Sequence, residues 1–133
     1  MSADDRGDDL SDIPTVDVPI GGEADGGDRI PDLSPREAVE RWLGKLRASK
    51  ADSTVSSYHY QLVHFTRWAE AEGIDSISEL TGWDLETYET HRRDEGVKLV
   101  SLSKEMGTLK NFLEYCARVE LVNENLPDKV VPP

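Results

Sequence analysis

The chain has 133 residues, enough for one small domain, and its 27 acidic against 15 basic side chains give a formal charge of −12. That balance excludes a generally basic nucleic-acid coat, and a single cysteine excludes an intramolecular disulfide. An apolar run of about 18 residues that could span a membrane is absent, and the acidic start through Asp4 and Asp5 is unlike a signal peptide, so a soluble cytoplasmic protein with no membrane partner is expected.

Residues 1–33 carry ten acids against two bases, Arg6 and Arg29, together with five glycines and three prolines. Their apolar residues follow neither a helical nor a strand period. Such a segment cannot bury enough surface to offset a backbone ordering cost of about 1–2 kcal/mol per residue. It is predicted to be a disordered acidic tail. Its glycines do not form a phosphate loop, because Gly27 and Asp28 stand where Lys and Ser or Thr are needed. Its Asp pairs lack the ligand spacing of a calcium loop.

The first helix is predicted to open at Ser34, Pro35, Arg36 and Glu37, a capping-box pattern with proline at the first helical position. Ala38, Val39, Trp42, Leu43 and Leu46 form its apolar stripe, and it should end near Ser49. Past Lys50 to Ser53, a second helix places Val55, Tyr58, Leu62, Phe65 and Ala69 on one stripe and stops at Gly73. Ser76 to Glu79 suggests a single turn. Thr81 to Asp84 caps a third helix with Trp83, Leu85, Tyr88 and Arg92 along its inner edge, closed by Gly96. The fourth begins near Ser101, buries Leu102, Met106, Leu109, Phe112, Leu113 and Cys116, and runs to about Val119. Cys116 then reads as a small core residue. The stretch from Asn125 to Pro133 reads as the start of a linker, and no strand pattern is present.

Projected at about 100° per residue, the outer side of the second helix carries Ser56, Ser57, Tyr60, Val63, His64 and Arg67, with no carboxylate. The same projection of the fourth helix gives Lys104, Gly107, Thr108, Asn111, Tyr115 and Arg118, with Glu114 at the margin. The third helix instead exposes Asp84, Glu86, Glu89, Asp94 and Glu95. Acid-poor surfaces of this kind suit phosphate and base-edge contacts, since Arg and Lys neutralise phosphates and Asn can pair with adenine. Duplex DNA, a protein partner and no function at all remain open on these grounds.

The serial order Thr54, Tyr58, Leu62, Phe65, Trp68, then Leu80, Thr81, Asp84, Leu85, Tyr88, then Gly96, Leu109, Phe112, Tyr115 and Leu121 to Pro127 resembles the N-terminal core-binding (SAM-like) domain of tyrosine recombinases, the phage-integrase-like family. The Asp-rich composition also resembles that of proteins from salt-loving archaea. The resemblance covers roughly residues 34–133. It implies an all-α, compact four-helix domain that forms one half of a clamp around double-stranded DNA, with the second and fourth helices facing the duplex. It further implies that Thr54 and Lys50 contact the DNA backbone. The family's tyrosine nucleophile and arginines lie on a second, catalytic domain. His64 and Arg67 do spell that domain's H-x-x-R motif, but inside a helix and without its companions.

The expected organisation is therefore an acidic tail over 1–33, a four-helix core-binding domain over 34–124 and a linker stub over 125–133. The expected function is non-catalytic DNA binding in integration and recombination, not enzymatic activity. The candidate contacts are Lys50, Thr54, Ser56, Ser57, Tyr60, His64, Arg67, Lys104, Thr108, Asn111 and Arg118. Arg67, Lys104 and Arg118 suit phosphates, and Asn111, His64 and Tyr60 suit base edges. Recombinase subunits or a separately encoded catalytic domain are further expected partners. The rival readings are a helical module that regulates an intact recombinase and a gene fragment without a role. His59, His64, His91 and Cys116 lack zinc-ligand spacing, so no metal, cofactor or small-molecule substrate is expected. Trp42, Trp68 and Trp83 are read as core residues, and His91, Arg92 and Arg93 as a salt-bridged helix end. The acidic tail is expected to compete with DNA for the basic faces.

Overall fold

The computed structural model describes residues 30–133. The expected acidic tail lies almost wholly outside the described residues. Asp32 and Leu33, counted with that tail above, fold with the domain: Leu33 accepts the Ile77 amide proton at 2.8 Å and packs against the core, and the Ser76 hydroxyl donates to Asp32.

Among the described residues the elements are α1 (Pro35–Leu46), α2 (Asp52–Ala71), a 3-10 turn (Ile77–Glu79), α3 (Gly82–Asp94), α4 (Leu99–Arg118) and a second 3-10 turn (Leu126–Lys129), with no strand. Two helices start where polar caps stand. Ser34 Oγ accepts the Glu37 amide proton at 3.1 Å while Glu37 accepts that of Ser34 at 2.9 Å, and Thr81 and Asp84 form the same reciprocal pair at 3.2 and 2.9 Å. The other two start without a side-chain cap, at Ala51 and Lys98. α4 accordingly begins two residues before Ser101, and α1 ends at Leu46 rather than Ser49, its last residues continuing only as a hydrogen-bonded turn.

Three helices end in one motif. In α2 the Ile74 amide donates to Ala69 and the Gly73 amide to Glu70. In α3 Val97 donates to Arg92 and Gly96 to Arg93, and in α4 Leu121 donates to Cys116 and Glu120 to Ala117. The residue after each cap is left-handed, with φ 77° at Gly73, 90° at Gly96 and 69° at Glu120. An apolar residue follows each and packs on the core: Ile74, Val97 and Leu121.

α4 is the central helix and touches α1, α2, α3 and the C-terminal turn. Its Phe112 lies 5.8 Å from Trp42 of α1 and 6.5 Å from Phe65 of α2, ring centre to ring centre. Trp42 stacks on Tyr58 at 5.4 Å, and Tyr88 of α3 meets Phe65 at 5.5 Å and Trp68 at 5.3 Å. Cys116 is fully buried in this core, and burial pushes its thiol up to about 12. Two bidentate ion pairs tie the helices from outside: Arg36 to Glu70 at 2.7 and 3.0 Å joins α1 to α2, and Arg92 to Glu105 at 3.0 and 2.9 Å joins α3 to α4.

Two expectations need correction. Trp83 is 74% exposed, because it stands two residues from Leu85 and residues two apart do not share a helix face. The stretch expected as a linker instead packs on the domain, with Leu126, Pro127 and Val130 buried against α3 and α4. Gly82 permits that contact, since a Cβ there would meet the Lys129 side chain at 3.3 Å. No helix among the described residues is long and apolar enough to cross a membrane.

Candidate nucleic-acid interface

α2 and α4 pack through Gln61 and Thr108, whose hydroxyl donates to the Gln61 carboxamide oxygen, and through the Phe65–Phe112 contact. This contact fixes which parts of each helix stay outside. On α2 the outer face carries Ser56, Ser57, Tyr60 and Arg67, all exposed, with His64 half-buried beside them. Tyr60 is 71% exposed. On α4 it carries Lys104, Asn111 and Arg118, exposed, with Val100 and Gly107 on the same stripe. Thr54 is half-buried in the first turn of α2, and Lys50 is exposed just before that helix.

Thr108 and Tyr115 are not on this surface. Both are buried, with only 6% and 4% of their area exposed, because α4 is covered on more than the half-circumference that its apolar stripe predicts. Thr108 is therefore corrected from a surface contact to a link between α2 and α4. Tyr115 supports Arg118, whose guanidinium lies 5.7 Å from the centre of its ring.

Every ion pair among the described residues uses Arg36, His91, Arg92 or Arg93, and none uses Lys50, Arg67, Lys104, Lys110 or Arg118. The expected salt-bridged end of α3 is present: His91 meets Glu95 at 3.4 Å, Arg92 meets Glu95 at 2.9 Å and Arg93 meets Glu89 at 2.8 Å. The hydrogen bond from Arg92 holds the Glu95 carboxyl below the usual carboxylate range, helped by the charges of His91, Arg92 and His64. Arg36 does the same to Glu70, with Arg67 adding a smaller effect.

Tertiary structure adds residues that the sequence reading missed. Arg47, Asp52, Val55, Ser56, His59 and Tyr60 line one shallow hollow where the end of α1 meets the start of α2. Arg47 belongs to the turn after α1, so only the chain reversal brings it to α2. His64 and Arg67 share a second hollow with His91 and Glu95 of the α3 end. Lys110, half-buried at the edge of the α4 face, was legible as the cation one turn from Gly107 and next to Asn111. No group of three His, Cys, Asp or Glu side chains able to hold a metal ion occurs among the described residues.

Such a surface can neutralise phosphates through free cations, donate from hydroxyls and read base edges through a carboxamide. Comparison with known proteins agrees with the resemblance seen in the sequence. The family model described as "Phage integrase, N-terminal SAM-like domain" matches residues 39–120. The tyrosine recombinase XerC of Bacillus pumilus is 31% identical over 72 residues, covering 54% of this chain and 24% of that protein. XerC of Chromohalobacter salexigens is 27% identical over 88 residues, covering 66% and 30%. The chain thus spans less than a third of the length of these relatives. The crystal structure of the N-terminal domain of a phage integrase/site-specific recombinase from Haloarcula marismortui superposes with a TM-score of 0.75 at 50% identity, covering 77% of this chain and 99% of that one. With four helices, no strand among the described residues and the family model matching most of those residues, the chain belongs to the phage-integrase N-terminal SAM-like domain family.

Proposed function

We propose that this domain holds duplex DNA for a tyrosine-type site-specific recombinase, laying the outer faces of α2 and α4 against the duplex. The observation that carries the reading is that the outer faces of α2 and α4 hold exposed cations and no ion pair. Arg67, Lys104, Lys110 and Arg118 stand without a carboxylate partner among the described residues, as do Arg41 and Lys45 of α1, whereas Arg36, Arg92 and Arg93 are paired. An unpaired surface cation keeps its charge available for phosphate, and each phosphate neutralised releases counterions. Arg67, Lys104 and Arg118 contact phosphates with Lys50 and Thr54, Ser56 and Ser57 donate to phosphate oxygens, and Asn111, His64 and Tyr60 reach base edges. Strand cleavage is the work of a catalytic domain carrying the tyrosine nucleophile, so this domain acts in the cytoplasm as a non-catalytic, halophilic part of DNA integration and recombination, with recombinase subunits as its protein partners.

The test is fluorescence anisotropy of labelled duplex DNA with the full chain and with Arg67→Glu/Lys104→Glu, both checked for helicity by circular dichroism. The reading expects wild-type binding and its loss in a folded double variant. Equal binding by the folded variant contradicts the docking surface.

A second reading rests on Trp83, whose indole at the start of α3 is 74% exposed and is of a residue type enriched at protein interfaces. In that reading α3 docks on another recombinase subunit. Trp83→Ser then abolishes subunit association in analytical ultracentrifugation while leaving DNA affinity intact, and unchanged association removes this role.

A further inference from the structure

Gly107 lies in the middle of α4, where glycine costs helix stability relative to alanine, because it loses more backbone freedom on folding and packs nothing. A neighbour pressing on the Cα usually explains such a residue. None does so here: a Cβ built on Gly107 meets no heavy atom within 4 Å. Its backbone is not left-handed either, unlike Gly73 and Gly96, and it is not crowded like Gly82. A Cβ on Gly44 would meet only the Arg47 guanidinium, at 3.8 Å, but Gly44 sits in the last turn of α1, where the helix is easily interrupted. Nothing among the described residues calls for glycine at position 107.

The groups around this gap are the second observation. Residues three and four positions away are neighbours on a helix surface, and for Gly107 these are Ser103, Lys104, Lys110 and Asn111. Two ammonium groups, a hydroxyl and a carboxamide ring the missing side chain, with no carboxylate among them. Val100 and Glu114 come only a further turn away on either side. An apolar protein surface seated here would bury both ammonium groups without partners, at a desolvation cost. A polyanion gains from both. Glycine also recurs where a backbone must come close to a ligand.

We infer that Gly107 is where the sugar–phosphate backbone of duplex DNA approaches the main chain of α4, with Lys104 and Lys110 neutralising phosphates on either side of the contact. The inference rests on the reading of duplex DNA as the ligand. It assigns the α4 main chain, and not only its side chains, to the interface. It also makes the glycine a residue that gives up free-state stability for a close fit.

That trade supplies the test, since a purely structural glycine would not lose affinity as it gains stability. Gly107→Ala, Gly107→Leu and, as a control on the acidic helix, Thr90→Ala are made in the full chain. Thermal midpoints are measured on the free proteins and dissociation constants on a labelled duplex. Gly107→Ala is expected to melt higher than wild type yet bind DNA more weakly, and Gly107→Leu, overpacking the contact, is expected to lose about tenfold or more in affinity. Thr90→Ala is expected to melt higher with affinity unchanged. A folded Gly107→Leu protein with wild-type affinity overturns the inference and leaves DNA binding standing, as does an equal loss in Thr90→Ala. A folded wild-type protein that binds no duplex overturns the reading beneath it.

Discussion

Arg92 shows how far a single side chain can depart from its type. It is almost fully buried, and its guanidinium donates to Glu105 at 3.0 and 2.9 Å and to Glu95 at 2.9 Å, so that burial and pairing arrive together. Removing one member of such a pair leaves the other charge buried and uncompensated. Arg92→Met is expected to cost about 3–5 kcal/mol in urea unfolding, and a smaller penalty in the double variant Arg92→Met/Glu105→Met would show that the loss belongs to the stranded carboxylate. Cys116 gives a pH dependence. Its thiol rises from 9.0 to about 12 on burial, so the unfolded chain releases its proton first as pH increases. Stability from this group is complete below pH 9 and is lost progressively toward about 12. Cys116→Ala should reduce the alkaline loss in urea midpoints recorded across that range, and an unchanged profile would exclude the thiol as its source. The helical period made Arg92 and Cys116 legible as inward-facing. It failed for Trp83, where a two-residue spacing was read as one face, and for Thr108 and Tyr115, both buried on a flank of α4, Thr108 through its bond to Gln61 of α2.

At the scale of elements, the helices were legible where local chemistry marks them. Capping boxes at Ser34 and Thr81 and left-handed glycines at Gly73 and Gly96 place ends to within a residue or two. Starts without a side-chain cap, at Ala51 and Lys98, carry no such mark, and α4 begins earlier than its sequence suggests. Its end is marked by an unusual residue, since Glu120 holds the left-handed position that glycine fills in α2 and α3. A side chain there costs about 1–2 kcal/mol in backbone strain, part of which glycine gives back through its freer unfolded state. Glu120→Gly is therefore expected to stabilise the domain by about 0.5–1 kcal/mol, read from chemical unfolding. No gain would mean that Glu120 is held by something other than the cap. The C-terminal turn was read as a linker because its prolines and polar residues oppose a helix, yet a 3-10 turn needs only one hydrogen-bonded repeat. Leu126→Ala, opening the buried contact with α3 and α4, is expected to cost about 2–4 kcal/mol, and a value below 1 kcal/mol would show that the turn is not part of the core.

For the whole molecule, charge acts in two directions. A chain with formal charge −12 repels itself, and salt relieves that repulsion within a screening length of about 8 Å at physiological ionic strength. Thermal midpoints are accordingly expected to rise with potassium chloride while DNA affinity falls, the latter with a slope of about −0.9 per phosphate neutralised. Lys110→Gln should lower that slope by close to one phosphate, and an unchanged slope would remove Lys110 from the contact. The overall fold was legible because four amphipathic stripes with few connecting residues leave little choice but a helical bundle. The candidate interface was legible as two acid-poor faces, but not the place of Arg47 beside α2 or the burial of Thr108, because both depend on how helices meet.

Docking of duplex DNA on the outer faces of α2 and α4 is the step on which the proposed function stands. It is tested most directly by titrating a short duplex into the isotope-labelled chain and following each backbone amide by NMR. Shifts are expected to concentrate at Ser56, Tyr60, Arg67, Lys104, Gly107 and Asn111, with Glu86, Thr90 and Asp94 on α3 unmoved. Shifts centred on α3, or none in a folded protein at low salt, would contradict it.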